Sequence, residues 1–568
     1  MPYRNWDDEH LWWQIVSSAL LKNGFQNGLF NIKVVPDVRN STGNVIFISD
    51  PVFFFSRDDM IQLSVNEIQK KMYINIITTF ALHLIEETNG TVDMDTLIRD
   101  IEDMIEFEIK LANLTMSYQP YANVNQISRP LTIYQLQVEY LKEVDHLTPK
   151  GMIDWLDTIQ SVFASEGIVI GYFEKLVVQA YDYILQLVPL LQQTPSRTIV
   201  NHMIWNSIQR FYFRDTKNLK PSNNKIDNRW KMCITQSNLK HAILHEYVKK
   251  YLSKNTIQDI TSILTNVKNA IREQIENSAW MDEPIRETYL ERLTYMKHEF
   301  IMPEWYNDEA IDRYYENVSI STNYLDTAIQ LYQFERKKMI RSLRTPDITL
   351  EWDVDLTTDT YYNSGPEKTV VPATVLQTPI YDSNIPFLNY GTLGFLSGHR
   401  INYDLVDNHV KYNSNGRVVS LITTQKSINE FRKIINCAAD QYSKYPYPGL
   451  EDKYVHGRVT VKESIIDFAS LSAAYYAYKN KQVRQNDYEW RMQGLEEYSD
   501  DQIFFITYAQ MMCENVPSKM IEMHRKIIYT TNEIRIRGSL SNFPAFSAAY
   551  KCPVGKPMNP EKKCTFWE

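Results

Sequence analysis

Residues 388–404 read LNYGTLGFLSGHRINYD, an apolar stretch of helical texture that carries the pentapeptide His399, Arg400, Ile401, Asn402, Tyr403. Upstream, residues 370–382 read VVPATVLQTPIYD, in which Val370, Val371 and Val375 suggest short strands, and helical segments return after Asn389. A break around Thr345 and Pro346 precedes this change of texture. Before it, from about Pro51 to Ser342, the chain is mostly helical, and a polar, proline-containing break spans Asn218 to Asp227. Ile98, Ile101, Ile105 and Ile109 fall at helical spacing, as do Ile243, Leu244, Tyr247, Val248, Tyr251 and Leu252; core packing accounts for both stripes. Asn31 to Pro51 reads as a hairpin turning at RNSTGN, residues 39–44. No internal repeat or low-complexity tract interrupts the chain.

The 568 residues are 44% hydrophobic and 23% charged, with a net charge of -9. That is the make-up of a globular chain of more than one lobe. Acidic and basic residues are interspersed, and no basic stripe is present that could track phosphates, so a nucleic-acid partner is excluded. The most apolar stretch, Met72 to Ile85, is broken by Asn75, Thr78, Thr79 and His83 and is too short to span a bilayer. The opening MPYRNWDDEHLW lacks the basic start and apolar centre of a secretory signal. Sequons at Asn40, Asn89, Asn113 and Asn317 match what chance supplies, about four in an Asn-rich chain of this length.

HAILHEY, residues 241–247, places His241 and His245 one helical turn apart beside Glu246. Zinc chemistry of the H-E-x-x-H kind needs glutamate where Ala242 stands. With Lys249 nearby, the two histidines are expected on a solvated polar face opposite the apolar stripe.

The segments 370–382 and 388–404 together resemble the neprilysin family of zinc metallopeptidases. The resemblance continues through GRVTVKESIIDFASLSAAYYAYK (457–479), DQIFFITYAQMMC (501–513), RIRGSLSNFPAF (535–546) and MNPEKKCTFW (558–567). Weaker similarity reaches the N-terminus and includes WMDEPIRETYLERL (280–293). The resemblance implies a mainly α, two-lobed neprilysin-like shell. Its large helical lobe would be residues 1–345, N-terminally incomplete, and its thermolysin-like lobe with a small β-sheet residues 346–568. Between them the family encloses a cavity that admits peptides.

In that family H-E-x-x-H supplies two zinc-binding imidazoles and the glutamate that polarises water. Here His399 remains, while the second histidine position holds Tyr403, whose neutral phenol is a poor ligand near pH 7. The glutamate position holds Arg400, which cannot accept a proton and repels a dication. By the same resemblance Glu463 stands at the third ligand position and Asp467 at the position that orients a zinc-bound histidine. Arg535 takes the substrate-binding arginine position and Tyr529 that of the oxyanion-stabilising histidine. The peptide-binding Asn-Ala edge becomes Asp359 and Thr360. Loss of a general base costs about a hundred- to ten-thousand-fold in rate, and loss of an oxyanion donor about a hundred- to a thousand-fold.

The resemblance therefore implies a catalytically inactive homologue with its zinc lost and no cofactor, binding a peptide or an active relative outside the cell or at its surface. The rival is a zinc endopeptidase with an atypical site. Two further expectations concern charge and sulfur. Arg400 could replace the zinc charge by pairing with Glu463 or Asp467. Cys437 and Cys564 match a family disulfide, whereas the family partners of Cys233, Cys513 and Cys552 lie in an N-terminal segment that this chain is expected to lack.

Overall fold

A computed structural model describes residues 12–567, apart from 38–42, 116–128, 144–148, 180, 213–229, 231–232, 235–237, 303–304, 348, 350–367, 386–387, 408–423, 486–492 and 525–529. The described chain is mainly helical with small sheets, as the sequence implied. It divides into two compact units, residues 1–239 with 314–350, and residues 240–313 with 351–568. The boundary expected near Thr345 differs from this division, which groups residues 240–313 with 351–568. The physical reason is packing: the helix Lys254–Asn277 lies against the helices Leu393–Asp407 and Gly457–Gln485.

The first unit contains a four-stranded sheet of β1 (Asn31–Pro36), β2 (Asn44–Ser49), β3 (Arg129–Thr132) and β4 (Lys175–Val178), ordered β1-β2-β4-β3. β1 and β2 form the expected hairpin, with Val34 opposite Ile46. Leu29, Ile46, Ile48 and Val178 are fully buried beneath helices, in a core that also takes in Trp155 and Phe163. The helix Met94–Leu114 is started by Asp93, whose carboxylate accepts from the Thr96 amide. Its stripe of Ile101, Ile105 and Ile109 is buried.

Burying so many apolar groups strands a few polar ones, and these satisfy one another. The Glu108 carboxylate receives the Tyr73 hydroxyl at 2.9 Å and faces His202 Nδ1 at 3.1 Å, while Trp205 donates to the Tyr73 oxygen at 2.8 Å. His202 Nε2 lies 3.0 Å from the Gly28 carbonyl. Gly28 has φ +71°, and a Cβ there would sit 2.8 Å from the His202 ring, so only glycine admits this approach.

In the second unit β5 (Lys297–Ile301) and β6 (Lys368–Pro372) pair in parallel. The terminal segment is tied down by the expected disulfide, Cys437 to Cys564. Trp280 Nε1 also donates to the Phe566 carbonyl at 2.6 Å, and Trp567 Nε1 to Asn402 Oδ1 at 3.1 Å.

Candidate functional site

Three helices of the second unit carry the candidate residues: Leu393–Asp407 with His399, Gly457–Gln485 with Glu463 and Asp467, and Asn532–Asn542 with Arg535. Gly398 lets the first two approach closely, because a Cβ there would lie 3.2 Å from the Ser470 carbonyl oxygen. Asn402 locks the crossing, its amide donating to the Gly398 carbonyl at 2.9 Å and to Ser470 Oγ at 3.3 Å. Glu463 and Asp467, one turn apart, thereby face His399.

The contacts converge on one atom. His399 Nε2 lies 3.4 Å from Asp467 Oδ1, 3.7 Å from Glu463 Oε2 and 3.5 Å from Arg535 Nη2. Arg535 grips Asp467 with both Nε (2.9 Å) and Nη2 (2.7 Å). Burial raises the Asp467 pKa, but the charge and hydrogen bonds of Arg535, aided by His399, outweigh it and hold the carboxyl at about 2. Burial lowers the Arg535 pKa, and Asp467 more than restores it. Glu463 differs: neither carboxylate oxygen has a hydrogen-bond partner, and burial raises its pKa against the pull of His399.

The expected pairing of Arg400 with Glu463 or Asp467 is corrected by this geometry. The guanidinium that neutralises Asp467 is Arg535, and the Arg400 guanidinium lies 5.1 Å over the Tyr403 ring, which Lys462 Nζ also approaches at 3.8 Å. A flat aromatic face one turn along the same helix attracts a guanidinium at little desolvation cost. Asp359, Thr360 and Tyr529 lie outside the described residues.

A structural or catalytic zinc takes at least three protein ligands. His399 and Glu463 stand at a spacing that one ion could bridge, but Asp467 is committed to Arg535, and two cations, Arg400 and Lys462, lie against the Tyr403 ring. Among the described residues, His399, Tyr403, Glu463 and Asp467 do not by themselves compose a three-ligand zinc site.

His241 and His245 do not lie on a solvated face. Both are buried, on the same side of the helix Lys240–Tyr251 as Leu244 and Val248, while Tyr251 of the expected stripe is exposed. The Tyr306 hydroxyl, 2.6 Å from His241 Nδ1, gives the buried ring its partner. Among the described residues, His245, Glu246 and Asp308 form the one His/Cys/Asp/Glu group compact enough to hold a metal ion, and Lys249 already holds Asp308 at 2.9 Å.

Sequence reasoning missed the Arg535–Asp467 pair and the anchoring role of Asn402. The available signal for the pair was opposite charge on two helices that the family resemblance brings to the site; for Asn402 there was none. Cys233 and Cys513 are exposed and, with Cys552, carry no disulfide.

Residues 3–303 and 359–566 match the two models of peptidase family M13. This mainly helical chain belongs to peptidase family M13, the neprilysin-type peptidases, a zinc-dependent family. It is 28% identical to endothelin-converting enzyme 1 of Homo sapiens over 95% of this chain and 69% of that protein. It is 25% identical to Homo sapiens neprilysin over 99% of this chain and 77% of that protein. In fold it is similar to the Mycobacterium tuberculosis zinc metalloprotease Zmp1 in complex with inhibitor, with TM-score 0.74 and 20% identity over 99% of this chain and 84% of that one. PepO from Lactobacillus rhamnosis has TM-score 0.71 and 18% identity over 98% and 84%. At these identities the two structures speak to fold alone.

Proposed function

We propose that this chain is a catalytically inactive member of peptidase family M13 that works by binding a peptide or an active relative. The observation that carries the reading is the pentapeptide His399-Arg400-Ile401-Asn402-Tyr403 on a helix facing Glu463 and Asp467. Where the family's chemistry needs a base and a second imidazole, the chain offers a guanidinium and a phenol. A guanidinium has no lone pair to take a proton from water. The surviving histidine and aspartate satisfy Arg535 and one another, which accounts for their retention without catalysis.

The proposed setting is the cell surface or the extracellular space. The Cys437–Cys564 bridge suits an oxidising compartment. Of the sequons, Asn89 and Asn317 are exposed and could carry glycans, whereas the Asn113 amide is engaged with the Ile109 carbonyl at 2.9 Å. No helix among the described residues is long and apolar enough to cross a membrane.

One observation favours a second reading, a zinc endopeptidase with an unusual ligand set. Glu463 buries two carboxylate oxygens without a hydrogen bond, 3.7 Å from His399 Nε2, as a metal ligand would. Incubating the purified chain, with and without added zinc, with a mixed peptide library separates the two. The proposed function predicts no new termini by mass spectrometry. Cleavage that chelator abolishes and zinc restores would establish the second reading instead.

A further inference from the structure

The first unit buries positive charge that nothing among the described residues neutralises. Arg336, on the helix Tyr324–Arg341, is 6% exposed. Its Nη1 donates to the Ile32 carbonyl at 3.2 Å, but Nε and Nη2 are buried and have no partner. Those two donors form the side edge of the guanidinium. It is the same edge with which Arg197 takes Asp100 and Arg535 takes Asp467 in this chain. In those two cases a carboxylate fills the fork.

Two more unpartnered donors stand beside it. Tyr332, one helical turn before Arg336 and so on the same face, buries its hydroxyl without a partner. Arg210, on the helix Ser196–Tyr212, lays its guanidinium 4.4 Å over the Tyr332 ring and buries an unpartnered Nε. Phe25 and Phe211 pack against the same ring at 6.1 and 6.2 Å, which makes its surroundings largely apolar. Burial lowers the Arg336 pKa, Tyr332 opposes this, and Arg210 lowers it further; no carboxylate acts on it.

Two adjacent guanidiniums in an apolar setting are costly unless an anion joins them, because an uncompensated buried charge is strongly destabilising. We propose that Arg210, Tyr332 and Arg336 form a binding site for a small oxyanion of the phosphate or sulfate class. Two oxygens meet the Arg336 fork, and the Tyr332 hydroxyl and Arg210 Nε complete the set. Tyr332 and Arg210 are each partly exposed, although the Tyr332 hydroxyl and the Arg210 Nε are themselves buried. The site is independent of the His399 centre and lies in the other unit.

The test is thermal unfolding of the full chain with sodium phosphate, sulfate or acetate against sodium chloride at matched ionic strength, with phosphate titration by calorimetry. The site predicts a saturable rise of several degrees with phosphate or sulfate and a smaller one with acetate, whose single carboxylate fills only the fork. Arg336→Met should abolish the response and raise the midpoint measured without oxyanion. Should that variant fail to fold, Tyr332→Phe, which keeps the ring under Arg210, should weaken phosphate binding several-fold. A phosphate response equal to that of chloride, or one that persists in Arg336→Met or is unchanged in Tyr332→Phe, would overturn the proposal.

Discussion

Arg535 holds Asp467 through a two-point contact, Nε and Nη2 at 2.9 and 2.7 Å from the two carboxylate oxygens, and sets its guanidinium 3.5 Å from His399 Nε2. The pair links residues 68 positions apart and fixes the helix Asn532–Asn542 against Gly457–Gln485. Breaking one side strands the other in an apolar setting. Asp467→Ala should cost about 3–5 kcal/mol in urea unfolding, and Asp467→Leu combined with Arg535→Met should recover most of it. Additive losses in the double variant would show that the two side chains stabilise the fold separately.

The same pair sets an acid limit. An unfolded aspartate titrates near about 3.9, and Asp467 in the fold titrates at about 2. The folded value is the lower one, so the stabilisation is complete above about pH 4 and drains away as pH falls toward 2. The stability difference between the natural chain and Asp467→Asn should therefore shrink between about pH 4.5 and pH 2.5. A difference that stays constant over this interval would contradict the assignment.

Glu463 has the opposite sign. Its pKa is raised by burial, so its charge opposes folding above that pKa, and both oxygens lack hydrogen bonds. Glu463→Gln should raise the unfolding midpoint of the metal-free chain near pH 7. In a chain stabilised by a metal on Glu463 the same change would lower it.

The Cys437–Cys564 bridge joins positions 127 residues apart. Replacing both with serine should lower stability by about 2–5 kcal/mol, read as a shifted denaturant midpoint. The contacts of Trp280 with Phe566 and Trp567 with Asn402 also hold the terminal segment, so the variant should remain folded.

What could be read from sequence depended on how local the determinants were. The hairpin of β1 and β2 follows from two apolar runs about a turn, and the Ile101–Ile109 stripe from helical spacing. The disulfide came from the family resemblance, not from the spacing of five cysteines. The grouping of residues 240–313 with the second unit was not legible, because the helix Lys254–Asn277 finds packing partners more than a hundred residues downstream. The burial of His241 was not legible because its partner, the Tyr306 hydroxyl, is 65 residues away. Arg400 was expected to pair with Glu463 or Asp467 for the same reason: Arg535, which takes the Asp467 carboxylate, arrives from a third helix 68 residues away.

Zinc stoichiometry by elemental analysis of the purified, folded chain tests the central claim most directly. His245→Ala should be introduced throughout, so that metal on His245, Glu246 and Asp308 is not counted. The account predicts no zinc in that background, and about one equivalent once Arg400→Glu and Tyr403→His restore the base and the second imidazole. One equivalent of zinc held without those two changes, and lost on Glu463→Gln, would contradict it.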